Sequence, residues 1–163
     1  MSINRVVLNS SPLICLTKSG LADLLPALFR EILVPEAVFQ EVMAEGKTDF
    51  AAEWLSSQRW ICRLRDIPID SRVAAWDLGE GETAVLSFAS RNEDCWAVMD
   101  DREARRCAMS LKCRFIGTLG IIVLAKKRGI IQSVRASLRR LHDTGFWLSD
   151  TLLEEICRRA GEN

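Results

Sequence analysis

The sequence lacks the residues from which most zinc sites and disulfide frameworks are built. Its 163 residues include one histidine, His142, and six cysteines, none of which forms a Cys-x-x-Cys pair. His142 has no cysteine or histidine neighbour at the spacing of zinc ligands, which argues against a zinc site. Without paired motifs, the cysteines are typical of a reducing compartment. We therefore expect them to be free, reduced and mostly buried.

The chain also lacks a net charge, a long apolar run and a secretion signal. Lys and Arg number 22, as do Asp and Glu, so a basic excess that would hold nucleic acid is absent. An enzyme that contacts only a few phosphates is still compatible with this balance. The apolar run at residues 116–125 is too short to cross a bilayer, and the first residues do not resemble a signal peptide. We expect a cytoplasmic protein without a membrane segment.

Short apolar runs alternate with longer amphipathic stretches, which is typical of a parallel sheet with crossover helices. The predicted strands are residues 5–8, 32–34, 60–64, 96–99 and 114–116. The predicted helices are residues 20–28, 35–44, 50–57, 80–90, 102–111, 119–127, 131–142 and 150–159. Pro35 suits a first helical position, where its missing N–H has no partner to lose. The pattern predicts one α/β domain over residues 1–163, with a helical C-terminal extension from about residue 130.

Polar residues follow several predicted strands at the point where each strand ends. Asn9 follows the first strand, and Thr118 lies just past the fifth. Asp100 and Asp101 follow the fourth. Ligands of open parallel sheets bind beyond the carboxyl ends of the strands, so these residues are expected to open onto one edge.

Helical spacing adds two glutamates to this edge. Glu82 precedes apolar residues three, four and seven positions further on, so it lies on the apolar stripe of its helix, whereas Glu80 lies on a more polar face. Glu41 lies on the inner face of its helix, whereas Glu36 points elsewhere. A carboxylate aimed at the edge of the core is costly unless it is paired or bound to a metal. Few basic residues stand near either glutamate.

Acids in this arrangement favour a hard divalent cation. Mg²⁺ and Mn²⁺ prefer carboxylate and water oxygens, whereas zinc sites usually include histidine or cysteine. Such an ion activates a water, polarises a phosphorus centre and stabilises the leaving oxygen. The pattern therefore predicts phosphodiester hydrolysis at a Mg²⁺ or Mn²⁺ site formed by Glu41, Glu82, Asp100 and Asp101.

Structural roles would also explain single members of this set. An Asp-Asp pair at a strand-to-helix junction is typical of a helix N-cap, so one of Asp100 and Asp101 has that alternative role. Glu80 and Glu82 also suit first-turn acids that stabilise a helix dipole. It is the agreement of these acids on one sheet edge that favours a functional site.

Several segments, taken in order, resemble the motifs of PIN-domain proteins. The first four are VLNSSPLI at 7–14, VPEAVFQEV at 34–42, LGEGETAV at 78–85 and MDDREAR at 99–105. Two more, IGTLG at 116–120 and AKKRG at 125–129, are similar to the prokaryotic PIN-like subfamily DUF3368. The resemblance covers nearly the whole chain.

The resemblance implies a three-layer α/β/α fold around a central, mainly parallel five-stranded sheet. It also implies a Mg²⁺- or Mn²⁺-dependent endoribonuclease, the toxin of a VapBC-type toxin–antitoxin pair, which is commonly a homodimer silenced by a small antitoxin protein. Matched by position, Glu41 and Glu82 correspond to the acids of the second and third motifs. Asp100 or Asp101 corresponds to the acid of the fourth motif.

Asn9 departs from the family pattern, because it occupies the place of the usual first aspartate. An amide oxygen still ligates a hard cation but brings no negative charge. We therefore expect weaker metal binding. This departure keeps open an alternative function, a catalytically weak or inactive PIN-like module that binds nucleic acid or protein.

Further residues are candidates for contacting substrate. Arg102 and Arg105 lie one helical turn from the predicted edge and suit an RNA backbone contact. Ser11, in the first motif, and Thr118 are further candidates. The five tryptophans form no stripe and are interpreted as core or interface anchors. Trp147, like Trp76, lies beside polar segments and is expected to be buried against another subunit or partner.

Overall fold

The computed structural model describes residues 2–44 and 50–162, and within these ranges the chain forms one five-stranded sheet and ten helices. The strands are β1 (Arg5–Leu8), β2 (Glu31–Pro35), β3 (Ile61–Leu64), β4 (Cys95–Val98) and β5 (Phe115–Ile116). The helices are α1 (Ser10–Lys18), α2 (Leu24–Leu28), α3 (Glu36–Ala44), α4 (Phe50–Ser57), α5 (Ser71–Ala74), α6 (Glu80–Arg91), α7 (Arg102–Ser110), α8 (Thr118–Lys127), α9 (Val134–Asp143) and α10 (Asp150–Arg159).

The sheet is parallel throughout and has the strand order β3-β2-β1-β4-β5. Val6, Val7 and Leu8 of the central strand β1 are all fully buried. Because successive strand residues point to opposite faces, both faces of the sheet are covered. This confirms the predicted three-layer α/β fold. The strand order reverses between β1 and β4, and open α/β sheets form a ligand crevice at such a reversal.

Several predicted helix starts differ from those of the structure, and the helix predicted from residue 131 begins only at Val134. Pro35 is the last residue of β2, in register with Leu64 of β3, and α3 begins one residue later. Because Pro35 stands at the end of the strand, its missing N–H removes few of the hydrogen bonds between strands. The helix predicted from Gly20 begins only at Leu24, because Gly20 has a φ of +72° and ends the preceding helix α1.

That preceding helix, α1, is absent from the sequence prediction. Residues 12–16 are all apolar, so they show no helical period. Pro12 is the third residue of α1, where its missing N–H would have had no partner within the helix. Leu13 and Leu16 are buried in the core and hold α1 against it. Helix α5 is also absent from the sequence prediction. It has only four residues, of which Val73 is buried, and this is too short a stretch to show an apolar period.

The C-terminal helices pack onto the rest of the chain. Helix α9 contacts α8 and α1, and α10 contacts α9. The Glu162 carboxylate accepts hydrogen bonds from the backbone N–H groups of Val134 (2.5 Å) and Arg135 (3.1 Å) at the start of α9. Gly129 and Gly145 have φ angles of 74° and 98° and stand just past the ends of α8 and α9.

All six cysteines are free, as predicted. Three of them are buried, whereas Cys62 is exposed. Burial raises the pKa of the Cys95 thiol to about 12. Among the described residues, no helix has the length and apolar character needed to span a membrane.

Candidate active site

The ends of β1 and β4 lie side by side at the crevice of the sheet. Asn9 directly follows β1, and its backbone N–H donates to the Val98 carbonyl of β4 at 3.0 Å. Asp100 follows β4 two residues later. Two polar residues that are 91 positions apart therefore meet at one edge, as a parallel sheet requires.

Glu41 projects from α3 onto the start of α6. Its Oε1 accepts a hydrogen bond from the backbone N–H of Gly81 at 3.0 Å, and its Oε2 accepts one from the Ser10 hydroxyl at 2.8 Å. A Cβ atom on Gly81 would lie 2.8 Å from both carboxylate oxygens. Glycine at this position therefore permits the close approach of the Glu41 carboxylate.

Glu82 is the third residue of α6, and its carboxylate turns back over the N-terminus of that helix. It accepts a hydrogen bond from the backbone N–H of Gly79, which is half of a capping box, and another from the Asn9 side chain. Burial, followed by the negative charges of Asp101 and Glu41, raises the pKa of Glu82. Two of these causes are neighbouring carboxylates, which repel the charge of Glu82.

Asn9 is buried in this cluster, with 3% of its surface exposed. It stands at the N-cap position of α1, yet its side chain does not cap the helix. Its amide group donates to Glu82, and its Oδ1 is buried without a hydrogen-bond partner among the described residues. A buried polar atom in this state is rare in proteins and calls for an explanation.

Asp100 is fixed to the N-terminus of α8. The backbone N–H of Thr118 donates to its Oδ1 at 2.8 Å, and the Thr118 hydroxyl donates to its Oδ2 at 2.5 Å. Gly117 permits this contact, because a Cβ atom there would lie 2.9 Å from Oδ1. Thr118 is itself fully buried, so it positions Asp100 from within the core.

Asp101 has the structural role that the sequence left open for one of the two aspartates. Its Oδ2 accepts a hydrogen bond from the backbone N–H of Ala104 at 2.9 Å and caps α7. Its side chain is exposed, but its charge still acts on Glu82. Asp101 therefore caps a helix and contributes to the negative potential of the site.

Two substitutions of Asp101 separate these roles. Asp101→Ala removes the cap and is expected to lower the free energy of unfolding by about 1 kcal/mol. In a domain of this size, that loss lowers the melting temperature by about 2–4 °C. Asp101→Ser retains a capping oxygen without the charge, so we expect it to melt close to the wild type. Thermal denaturation followed by circular dichroism measures both, and equal losses would contradict the capping role.

The other predicted substrate contacts lie around this cluster. Ser11 is exposed on α1 and lines a groove that also contains Asp100. Arg102 is exposed at the start of α7. The Arg105 guanidinium lies 5.2 Å from the centre of the Phe115 ring. Their contact with a substrate stays a prediction.

Within residues 2–44 and 50–162, no three Asp, Glu, His or Cys side chains are arranged as a metal site. Glu41, Asp100 and Asp101 each accept a hydrogen bond from a backbone N–H group. Asn9 and Glu82 nevertheless fit a hard cation. They offer one buried oxygen without a partner and one carboxylate surrounded by like charge, which a divalent ion would neutralise.

Sequence reasoning missed the small residues that position the acids. Ser10 and Gly81 hold Glu41, Gly79 holds Glu82, and Gly117 gives Asp100 room. The available signal was their position, since Ser10, Gly81 and Gly117 each stand directly beside a predicted site residue, and Gly79 stands just before a predicted helix. Spacing alone does not reveal which acid a glycine N–H contacts.

A three-layer α/β/α fold with carboxylates at the crevice of its parallel sheet is shared by PIN-like domains, a class whose members are generally nucleases that use divalent metal ions. The family model DUF3368, described as a PIN domain, matches residues 5–162, and the chain belongs to this family. No curated protein matches the chain. Membership supports a nuclease-like, hydrolytic function with a nucleic acid as substrate.

Proposed function

We propose that the chain is a Mg²⁺- or Mn²⁺-dependent endoribonuclease that acts as the toxin of a toxin–antitoxin pair. The observation that carries this proposal is the buried Oδ1 of Asn9, which has no hydrogen-bond partner in the described chain and belongs to the side chain that contacts Glu82. Leaving such an atom unpaired costs about 1–3 kcal/mol. A divalent cation held by these two residues would remove that cost and also the repulsion that Glu82 experiences.

Each site residue has a role in this proposal. Asn9 and Glu82 would bind the ion, which supplies an activated water and stabilises the leaving oxygen. Glu41 and Asp100 would complete the negative surroundings of the ion. Because backbone N–H groups of Gly81 and Thr118 hold these two carboxylates, their positions are set before a substrate arrives.

The biological part of the proposal comes from the resemblance of the motifs. RNA as the substrate, a small antitoxin protein as the partner, a homodimer and a cytoplasmic location are properties that the resemblance implies. A single domain spanning residues 1–163 belongs to the same proposal, and the matched range 5–162 supports it.

A catalytically weak PIN-like module that binds nucleic acid or protein is the second candidate. Asn9 favours it, because an amide brings no charge to the position where the family has an aspartate. The lack of a ready-made metal cluster within residues 2–44 and 50–162 points the same way.

Cleavage of a mixed RNA pool separates the two candidates. We expect the pure protein to cleave RNA in the presence of Mn²⁺, and we expect cleavage to stop when EDTA is added. Asp100→Asn should lower the rate by at least about a hundred-fold, as removal of one preorganised electrostatic group does. Glu80→Gln is the matched control, because Glu80 is an exposed acid of the same helix as Glu82, and it should cleave normally. Equal cleavage by wild type and Asp100→Asn would point to a contaminant and contradict the enzyme proposal.

A further inference from the structure

A groove lies directly beside the acid cluster, between α1 and the loop that follows α9. It measures about 330 Å³ and includes Asp100 in its wall. Sites for small ligands occupy roughly 300–1,000 Å³, so the groove has room for a group of nucleotide size. Because Asp100 belongs to both, the groove is continuous with the candidate active site.

One wall of this groove is a stripe of α1. Ser11, Ile14, Cys15 and Lys18 line it, at the spacing that places side chains on one face of a helix. Ser11 stands near the acid cluster, and Lys18 stands at the opposite end of the helix, where it is exposed. The stripe thus extends from the candidate active site, near Ser11, to the positive charge of Lys18.

The opposite wall presents Trp147, of which 80% is exposed. The loop that carries it is ordered by hydrogen bonds, since the N–H groups of Gly145 and Phe146 donate to the carbonyls of His142 (3.0 Å) and Leu141 (3.2 Å). Phe146 packs against the core next to it. An aromatic ring held on a rigid turn and left open to solvent is suited to stacking on a flat partner.

We propose that this groove binds one nucleotide of single-stranded RNA next to the cleaved bond, with its base stacked on Trp147 and a phosphate at Lys18. The inference rests on the proposed function, because the acid cluster supplies the neighbouring reaction site. Aromatic stacking combined with a cation is the usual way in which proteins bind single strands without reading their sequence. The exposed face of Trp147 thereby has a substrate role, in place of the subunit interface expected from the sequence.

RNA binding without cleavage tests the subsite. The Glu82→Gln protein serves as the parent, with a short fluorescein-labelled single-stranded RNA and fluorescence anisotropy as the readout. Adding Trp147→Ala should raise Kd by roughly 5- to 150-fold, the range for loss of one stacked base. Trp147→Phe should retain most of the affinity because it keeps a ring. Lys18→Gln should weaken binding less and flatten its dependence on salt concentration.

Met109→Ala is the matched control, because Met109 is also an exposed apolar side chain (65%) and lies at the far end of α7. It should leave Kd unchanged. An unchanged Kd for Trp147→Ala overturns the subsite, and so does a parent protein that binds no RNA. If sedimentation shows that Trp147→Ala dissociates an oligomer while Kd stays the same, Trp147 belongs to a protein interface and the subsite is again overturned.

Failure of the subsite and failure of the proposed function give different results. A wild type that cleaves RNA while Kd is insensitive to Trp147 overturns the subsite alone. A wild type that binds RNA through Trp147 but never cleaves it supports the groove as an RNA site and overturns the nuclease proposal.

Discussion

Glu82→Gln is expected to lower RNA cleavage by at least about a hundred-fold and, at the same time, to raise the melting temperature at neutral pH. Activity falls because the variant removes the charge that would bind the metal ion. Stability rises because the same charge is partly removed from water and is also repelled by Asp101 and Glu41. Glutamine has a similar size and retains an oxygen that accepts the hydrogen bond from Gly79. A gain in stability together with a loss of function is typical of a residue kept for its chemistry.

The pH dependence follows from the raised pKa of Glu82. The folded protein binds the proton of the Glu82 carboxyl group more tightly than the unfolded chain does. Ionisation of Glu82 therefore costs more free energy in the folded state. Wild-type stability therefore falls as pH rises from the ordinary pKa of 4.5 towards the raised value, and above that value the whole penalty is present. Glutamine does not ionise. The stability difference between variant and wild type should vanish below the ordinary pKa and grow through this window.

Denaturant unfolding in EDTA, repeated across pH, measures this difference, because the contributions of groups that do not interact with Glu82 cancel. Glu80→Gln is again the control, since Glu80 is exposed on the same helix and should show no such window. A Glu82→Gln protein that is less stable than wild type at neutral pH would contradict the crowding of charge at this site. Retained cleavage by that variant would contradict a metal-binding role for Glu82.

Helical spacing in the sequence was enough to distinguish inward-facing from outward-facing glutamates. Glu36, assigned to the outer side of its helix, pairs with the Arg63 guanidinium at 2.5 Å, and hydrogen bonds from Arg63 and Gln40 lower its pKa to about 2. Glu41 and Glu82, assigned to the inner side, are partly buried as Glu36 is, but they lie at the sheet edge, where Glu41 contacts Ser10 and Gly81. Such assignments succeed because a helix has a fixed period and its buried face must be apolar.

The contacts between distant segments could not be predicted from the sequence. Glu41 is held by Gly81, forty residues further on, and Asp100 by Thr118, eighteen residues further on. A periodic pattern contains no information about which backbone N–H group a side chain reaches. For the same reason, Asp100 and Asp101 were indistinguishable until their partners, α8 and α7, were placed. The sequence thus predicted the edge, and only packing distinguishes the aspartate that contacts α8 from the one that caps α7.

Asn9→Asp should have opposite effects on the metal-free and the metal-bound protein. In wild type, the buried Asn9 amide donates to Glu82. A carboxylate at position 9 would lose that donor and face Glu82 with a like charge. Without metal, we expect the free energy of unfolding to fall by at least about 1–3 kcal/mol, the cost of leaving buried polar groups unpaired. The melting temperature in EDTA should fall accordingly, by about 2–4 °C per kcal/mol.

With Mn²⁺ the same substitution should be favourable, because a second carboxylate adds attraction for the ion and the ion removes the repulsion between the two acids. We expect Mn²⁺ to bind at least about tenfold more tightly, equivalent to about 1.4 kcal/mol. Titration calorimetry measures the affinity, and melting with and without Mn²⁺ measures the linked stability. Asn4→Asp is the matched control, since Asn4 is exposed at the opposite end of β1.

The outcome also decides between the two candidate functions. If Asn9→Asp binds Mn²⁺ more tightly and cleaves RNA faster than wild type, then the natural asparagine sets the activity of a working nuclease site. If Mn²⁺ binds more tightly and wild type and variant are both inactive, the chain retains the metal position of a nuclease without its chemistry. Equal or weaker Mn²⁺ binding would remove Asn9 from the metal site, and the unpaired Oδ1 would then need another partner.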